Sequence, residues 1–211
     1  MKKLIIFTTL IFGILGISAQ NIPLLQPQKT GGMPLMDALS KRSTARVFDT
    51  TSLSLQQVSD LLWAAFGINR PDGKRTAPSA MNFQETDIYV LLKNGAYTYD
   101  AKNNQLVQVL NIDIRNLGGT QAFVKNAPAT LVFIADLSKM GNGKTEDKIN
   151  TANIDVGYIS QNVYLYCASA GLVTGARGSV DKNALGSKLS LKPDQQIILA
   201  QSIAYPVIDK K

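Results

Sequence analysis

DIYVLLKNGAYTYD, residues 87–100, is the stretch from which the architecture can be worked out. Asp87–Lys93 and Ala96–Asp100 are short runs rich in β-branched and aromatic residues. Asn94-Gly95 between them is a strong signal for a tight β-hairpin, because both residues tolerate the left-handed conformations of such a turn. Downstream, Thr120–Lys125 reads as a short helix and Ala129–Ala135 as a buried strand. Residues 138–150 read as a polar excursion. Thr151–Ala170 reads as a helix apolar almost all round, through Ile154, Ile159, Val163, Leu165 and Cys167, and is expected to run through the core. Val173–Ala176 follows as a strand, then a short helix capped by Asp181, then a last strand at Gln196–Ala204.

Upstream of the hairpin the periods are helical. Pro34–Arg42 begins with Pro34 near its first turn and sets Leu35, Met36 and Leu39 on one side. Ser54-Leu55-Gln56-Gln57 fits a capping box, Leu55, Val58, Leu61, Leu62 and Ala65 follow at helical spacing, and Gly67 closes the segment. Residues 68–84 form a loop too long for mere punctuation, and loops of this length in compact domains are commonly functional. Helices, a hairpin, a helix, a strand, a core helix and a strand make an α+β or mixed-sheet domain. Regular βαβα alternation and a GxGxxG turn are both missing, which argues against a Rossmann cofactor site.

Composition narrows the chemistry. The chain of 211 residues carries 22 Lys+Arg against 15 Asp+Glu, one Cys and no His. Without His there is no Ser-His-Asp or Cys-His nucleophile and no His-ligated metal. One Cys excludes a disulfide framework and cysteine-ligated clusters, and Cys167 in an apolar helix reads as a buried free thiol. The basic residues are dispersed and not interleaved with aromatics, so nucleic acid is not an expected partner. Hard chemistry must come from an organic cofactor or from carboxylates.

Residues 1–19 have Lys2 and Lys3, an apolar run from Leu4 to Ile17, and Ser18-Ala19 before Gln20. The run falls short of the ~20 residues of a spanning helix, so it is expected to be a cleaved export signal rather than a membrane anchor, with a periplasmic or secreted mature protein. Residues 20–33, with two prolines and a Gly pair, read as an N-terminal arm, and residues 34–211 as one domain.

Three segments carry candidate chemistry. In Lys41-Arg42-Ser43-Thr44-Ala45-Arg46, arginines flank hydroxyl residues just after a helix, and guanidinium forks with hydroxyl donors suit a phosphorylated ligand. In Arg75-Thr76-Ala77-Pro78-Ser79-Ala80-Met81-Asn82, small residues allow close backbone approach to a flat ligand, and Asn82 offers donor and acceptor. Gly171 to Ser179 is a small-residue strand and turn after the core helix. Gly141-Asn142-Gly143-Lys144-Thr145 only imitates a phosphate loop, since Ser138 occupies the place of its first glycine.

In this order and spacing the segments resemble the FMN-dependent nitroreductase family, including its SagB-type subgroup, over about Pro34 to Lys211. The resemblance implies a central mixed, mainly antiparallel sheet flanked by helices, in an intertwined homodimer with FMN in two inter-subunit clefts. Arg42, Ser43, Thr44 and Arg46 are similar to the segment that grips the FMN phosphate and ribityl chain, with Ser43 standing where a second Arg is usual. Pro78, Ser79 and Asn82 match the segment that touches the flavin from the partner subunit. Gln121 falls where the pyrimidine or ribityl side is contacted. Ala176, Arg177, Gly178 and Ser179 fall where backbone N–H groups face the flavin N5/O4 edge. Ala204-Tyr205-Pro206 resembles the terminal Gly-Tyr-Pro, after which Lys210 and Lys211 would reach the phosphate.

What the resemblance implies chemically is ping-pong transfer of a hydride from NAD(P)H, or from another reduced donor such as a quinol, to nitroaromatic, quinone or similar acceptors. The flavin carries the chemistry, so no catalytic side chain and no metal are expected. Alternatives on the same scaffold are a specialised reductive dehalogenase-like or azoline-oxidising enzyme, and a flavin-binding or structural protein without turnover.

Overall fold

The computed structural model describes residues 20–207. The expected export signal, residues 1–19, lies outside the described residues, and so does Lys210. Among the described residues seven strands form one sheet: β1 (Ile22–Pro23), β2 (Thr86–Leu92), β3 (Gly95–Asp100), β4 (Gln105–Leu110), β5 (Ala129–Asp136), β6 (Val173–Arg177) and β7 (Gln195–Ala204). Their spatial order is β1-β4-β3-β2-β5-β7-β6. Helices α1 (Leu35–Lys41), α2 (Leu55–Phe66), α3 (Thr145–Ser169) and α4 (Lys182–Lys188) complete the α+β fold.

Every strand pairing among the described residues is antiparallel, so the expected mainly antiparallel sheet is present and contains no parallel pair. The physical reason lies in β7. β5 and β6, joined through α3, run in the same direction, but β7 inserts between them and pairs antiparallel with both. That insertion leaves β6 at the edge of the sheet.

Strand periodicity sorts the core into two layers. Ile88, Val90, Leu131 and Phe133 face Leu61, Leu62, Ile159 and Val163 of α2 and α3. Their neighbours Tyr89, Leu91, Val132 and Ile134 face the other way, onto Leu185, Leu189 and Ala200. Both faces of β2 and β5 are therefore covered, which is why these strands read as continuous apolar runs. Burying each such side chain contributes about 1.5–3 kcal/mol.

The capping box at α2 is formed: Ser54 Oγ accepts from the Gln57 N–H at 3.2 Å, and Gln57 Oε1 accepts from the Ser54 N–H at 3.0 Å. α3 starts at Thr145, not Thr151, with Glu146 and Asp147 in its first turn, where the helix dipole favours negative charge. It is also not buried all round. Ala152, Val156, Ile159, Val163 and Cys167 pack on the sheet, while Ile154 is 60% and Tyr158 49% exposed. A helix lying on one layer buries one face.

The arm is tied down along its length. Ile22 pairs with Leu106, the Leu24 N–H donates to the Asn104 carbonyl, Ser59 Oγ donates to the Leu25 carbonyl, and Ser169 Oγ accepts from the Met33 N–H. It thus runs from β4 across α2 to the end of α3.

Candidate functional site

The site is built at the exposed edge of β6. Residues leaving α1 run extended beside that strand, and the Ala45 N–H donates to the Thr174 carbonyl at 2.9 Å. The approach depends on Gly175, because a Cβ there would run into the Ala45 carbonyl oxygen. The next outward amide of the strand, Ala176 N–H, donates to the Tyr164 hydroxyl at 3.0 Å, and that hydroxyl lies 3.0 Å from Thr44 Oγ1. An edge strand carries unpaired backbone groups, and these contacts meet two of them.

A cavity of about 80 Å³ remains between three walls: Thr44, Ala45 and Arg46; Gln121 and Phe123; and Gly175, Ala176 and Arg177. Gln121 presents a buried side-chain oxygen without a hydrogen-bond partner. A buried carbonyl oxygen left unpaired costs free energy, so a donor entering this space is favoured.

Arg177 sits within the wall and not in the cavity. Its guanidinium donates to the Gly118 carbonyl (2.9 Å), the Gly175 carbonyl (3.1 Å) and Ser202 Oγ (2.7 Å). Burial pushes its pKa down to about 10, which leaves it cationic at neutral pH. The ion pairs among the described residues are Lys74–Asp72, Arg115–Asp113 and Lys139–Asp87, so no carboxylate neutralises Arg177. With Arg46 on the opposite wall and Arg42 stacked 5.3 Å from the Tyr164 ring centroid, the cavity is biased toward anions.

Just beyond β6, the Gly178 carbonyl accepts from the Val180 N–H and the Ser179 carbonyl from the Thr120 N–H. The N–H groups of Gly178 and Ser179 have no acceptor among the described residues. These two amides, and not the occupied Ala176 amide, are the donors available to a ligand.

The structure brings Arg42, Thr44, Arg46, Gln121, Ala176 and Arg177 together, with Gly178 and Ser179 alongside. Ser43 turns to the other side of its segment, toward Cys167 and Val173. Pro78, Ser79 and Asn82 are not at this cavity. Their loop is pinned where the Ala80 N–H donates to Asp155 Oδ2 at 2.8 Å. Asp155 and Tyr164 are nine positions apart on α3, about 13 Å along the axis, so within one chain the two groups stay separate. Met81, Asn82 and Gln84 hold left-handed φ values of 51°, 56° and 48°. Ser79 Oγ accepts from the Gln84 N–H, and Arg75 Nε donates to Gln84 Oε1 at 2.7 Å, which keep that strained loop in place.

The sequence reading missed Tyr164 and Phe123. Nothing in the helical pattern marks Tyr164, whose partners lie on other segments. It also missed Glu85, fully buried beside Asp155, with one carboxylate oxygen unpartnered. Burial and the neighbouring Asp155 raise its pKa. A separate cavity of about 570 Å³ among Leu53, Val58 and Leu106 is lined mainly by aliphatic side chains and holds none of these groups.

The nitroreductase family model matches residues 39–205. A crystal structure of a Ralstonia eutropha JMP134 protein assigned as a nitroreductase is 39% identical, with a TM-score of 0.86, covering 92% of this chain and 93% of that one. A Methanocaldococcus jannaschii protein with the same assignment is 28% identical over 168 residues, 75% of this chain and 85% of its own. A Staphylococcus epidermidis protein described as an NAD(P)H:FMN oxidoreductase shares the fold, with a TM-score of 0.63 at 17% identity over 88% of this chain and 93% of its own.

Proposed function

This chain belongs to the nitroreductase family, and from that premise we propose that it is an FMN-dependent oxidoreductase working as a homodimer. The observation that carries the proposal is the anion-biased cavity at the β6 edge, with the orphaned oxygen of Gln121 in its lining and the unspent amides of Gly178 and Ser179 just beyond the strand. These groups fit a flavin mononucleotide chemically. Arg42, Arg46 and the Thr44 hydroxyl suit a phosphate. Gln121 suits a ribityl hydroxyl or a ring N–H, and the Gly178 and Ser179 amides suit the electron-rich edge of the ring. The bound flavin would supply the hydride and electron chemistry, and the residues named here would bind and orient it.

The dimer is proposed from what one chain leaves bare. Ile154 and Tyr158 on α3, Leu35 and Met36 on α1, and Met81 in the strained loop are exposed apolar side chains. Pairing two α3 helices across a two-fold axis would cover Ile154 and Tyr158, and would carry the Pro78–Asn82 loop of one chain toward the cavity of the other. The proposed donor is NAD(P)H or a quinol, and the proposed acceptors are nitroaromatics or quinones. Export through residues 1–19 favours the quinol. No helix among the described residues is long and apolar enough to cross a membrane.

Purification, release of the chromophore and its identification test this function. The expected result is about one FMN per chain, reduced by NAD(P)H or a quinol and reoxidised by a quinone or nitroaromatic. Arg42→Ala should lose FMN while keeping the wild-type circular dichroism. A colourless protein that also fails to take up added FMN would overturn the proposal, and one that binds FMN but never cycles it would indicate a scaffold without turnover.

A further inference from the structure

We propose that Tyr164 is the positioning residue that makes the site at β6 select a phosphorylated ligand, an inference that rests on the FMN reading above. Its side chain leaves α3 beside the helix's buried stripe and reaches three residues on two separate segments. The hydroxyl meets Ala176 N–H of β6 and Thr44 Oγ1, each at 3.0 Å, and the ring carries the Arg42 guanidinium at 5.3 Å from its centroid.

The hydrogen-bond inventory fixes the direction of the first contact: an amide N–H only donates, so the Tyr164 oxygen accepts from Ala176. In the second contact either hydroxyl can donate. In the proposed arrangement the phenol, the better donor of the two, gives its proton to Thr44 Oγ1, which leaves the Thr44 proton for a ligand in the cavity that Thr44 lines. On the same side chain, the ring face holds Arg42 by a cation–π contact, restricting a guanidinium that would otherwise sweep through solvent. Tyr164 thus readies one neutral and one cationic donor for an anion without touching the anion itself.

This role separates the phosphate from the rest of the flavin. Riboflavin has the same ring and ribityl chain as FMN but no phosphate, so its affinity should not depend on Arg42 or on the direction of the Thr44 proton. The test is a fluorescence titration of the purified protein, freed of bound flavin, with FMN and with riboflavin, for the wild type, Tyr164→Phe and Tyr164→Leu. Tyr164→Phe keeps the ring under Arg42 and removes the hydroxyl, and should weaken FMN roughly fivefold. Tyr164→Leu removes both and should weaken FMN roughly twentyfold. Riboflavin should change by less than about twofold in either variant, a split that a merely structural role would not produce. Equal weakening of both flavins, or an FMN preference that Tyr164→Leu leaves intact, overturns the inference while leaving the FMN reading in place. A wild type that binds no FMN overturns both. Should Tyr164→Leu lose its fold by circular dichroism, the FMN-to-riboflavin ratio of Tyr164→Phe decides.

Discussion

Gly119→Ala puts the packing behind the cavity to a quantitative test. Gly119 has an extended backbone, φ 169°, so torsional freedom is not the reason for a glycine there. Space is the reason. A Cβ at this position would sit 2.8 Å from Arg177 Cδ and 2.9 Å from Val124 Cγ2, and closer still to Arg177 Nε, against an ordinary contact of 3.4–4 Å. Val124 is fully buried, so the arginine has to yield. Yielding lengthens or breaks its 2.9 Å hydrogen bond to the Gly118 carbonyl in a place water does not reach. Overpacking costs about 1–3 kcal/mol, and a lost hydrogen bond to a charged group roughly 1.5–3 kcal/mol. Partial relaxation brings the expected total to about 3 kcal/mol. For a domain of this size each kcal/mol is worth about 2–4 °C, so thermal unfolding followed by circular dichroism should show a Tm lower by roughly 6–12 °C. The partner variant Arg177→Ala removes the Cδ and Nε atoms that collide. In Gly119→Ala/Arg177→Ala the alanine at position 119 should therefore cost much less than it does alone, a coupling of more than about 1 kcal/mol. A Gly119→Ala protein melting within about 2 °C of the wild type, or a double variant that is simply additive, would refute this account of how the wall is packed.

Two further outcomes follow from buried titratable groups. Glu85 has its pKa raised first by burial and then by Asp155, so its contribution to stability is fully present below the ordinary glutamate value and is lost as pH rises through the raised one. Glu85→Gln should remove that decline: melts across pH 4–8 should show the variant gaining on the wild type as pH rises, and parallel curves would contradict the assignment. Cys167 is 1% exposed with its thiol pKa raised by burial, so a disulfide reagent at pH 8 should find no reactive thiol in the native protein and one after denaturation. Rapid labelling of the native form would show that this part of the core opens.

Local signals placed most elements. The Ser54 capping box, Gly67 and the Asp181 cap each act within a few residues and appear where the pattern put them, and the hairpin forms one residue earlier than expected, with Lys93-Asn94 as its turn and Gly95 already paired with Leu92. β4 carries little local signal, because QLVQVL alternates poorly, and only its pairing with β3 and the arm makes it a strand. The early start of α3 was hidden by a polar first turn that faces solvent. The phosphate-suited segment was legible because arginines and hydroxyls cluster along the chain. Its companions Gln121, Ala176 and Arg177 were named only through the family resemblance, because no local pattern ties them to a segment that they meet only in the folded chain.

The sequence by itself determined the α+β class, most helix and strand positions, the exclusion of His- and Cys-based chemistry, and the resemblance whose family the comparisons bear out. Those follow from local energetics, from periodicity, and from residue types present or missing. Tertiary structure alone decided that β7 separates β5 from β6, that β6 is left as an edge to be covered by Ala45 and Tyr164, that Arg177 turns into the wall, and that α3 keeps one apolar face bare. Each depends on which distant segment satisfies a given backbone group or fills a given space, and that choice is made by the whole packed chain, not by any window of it.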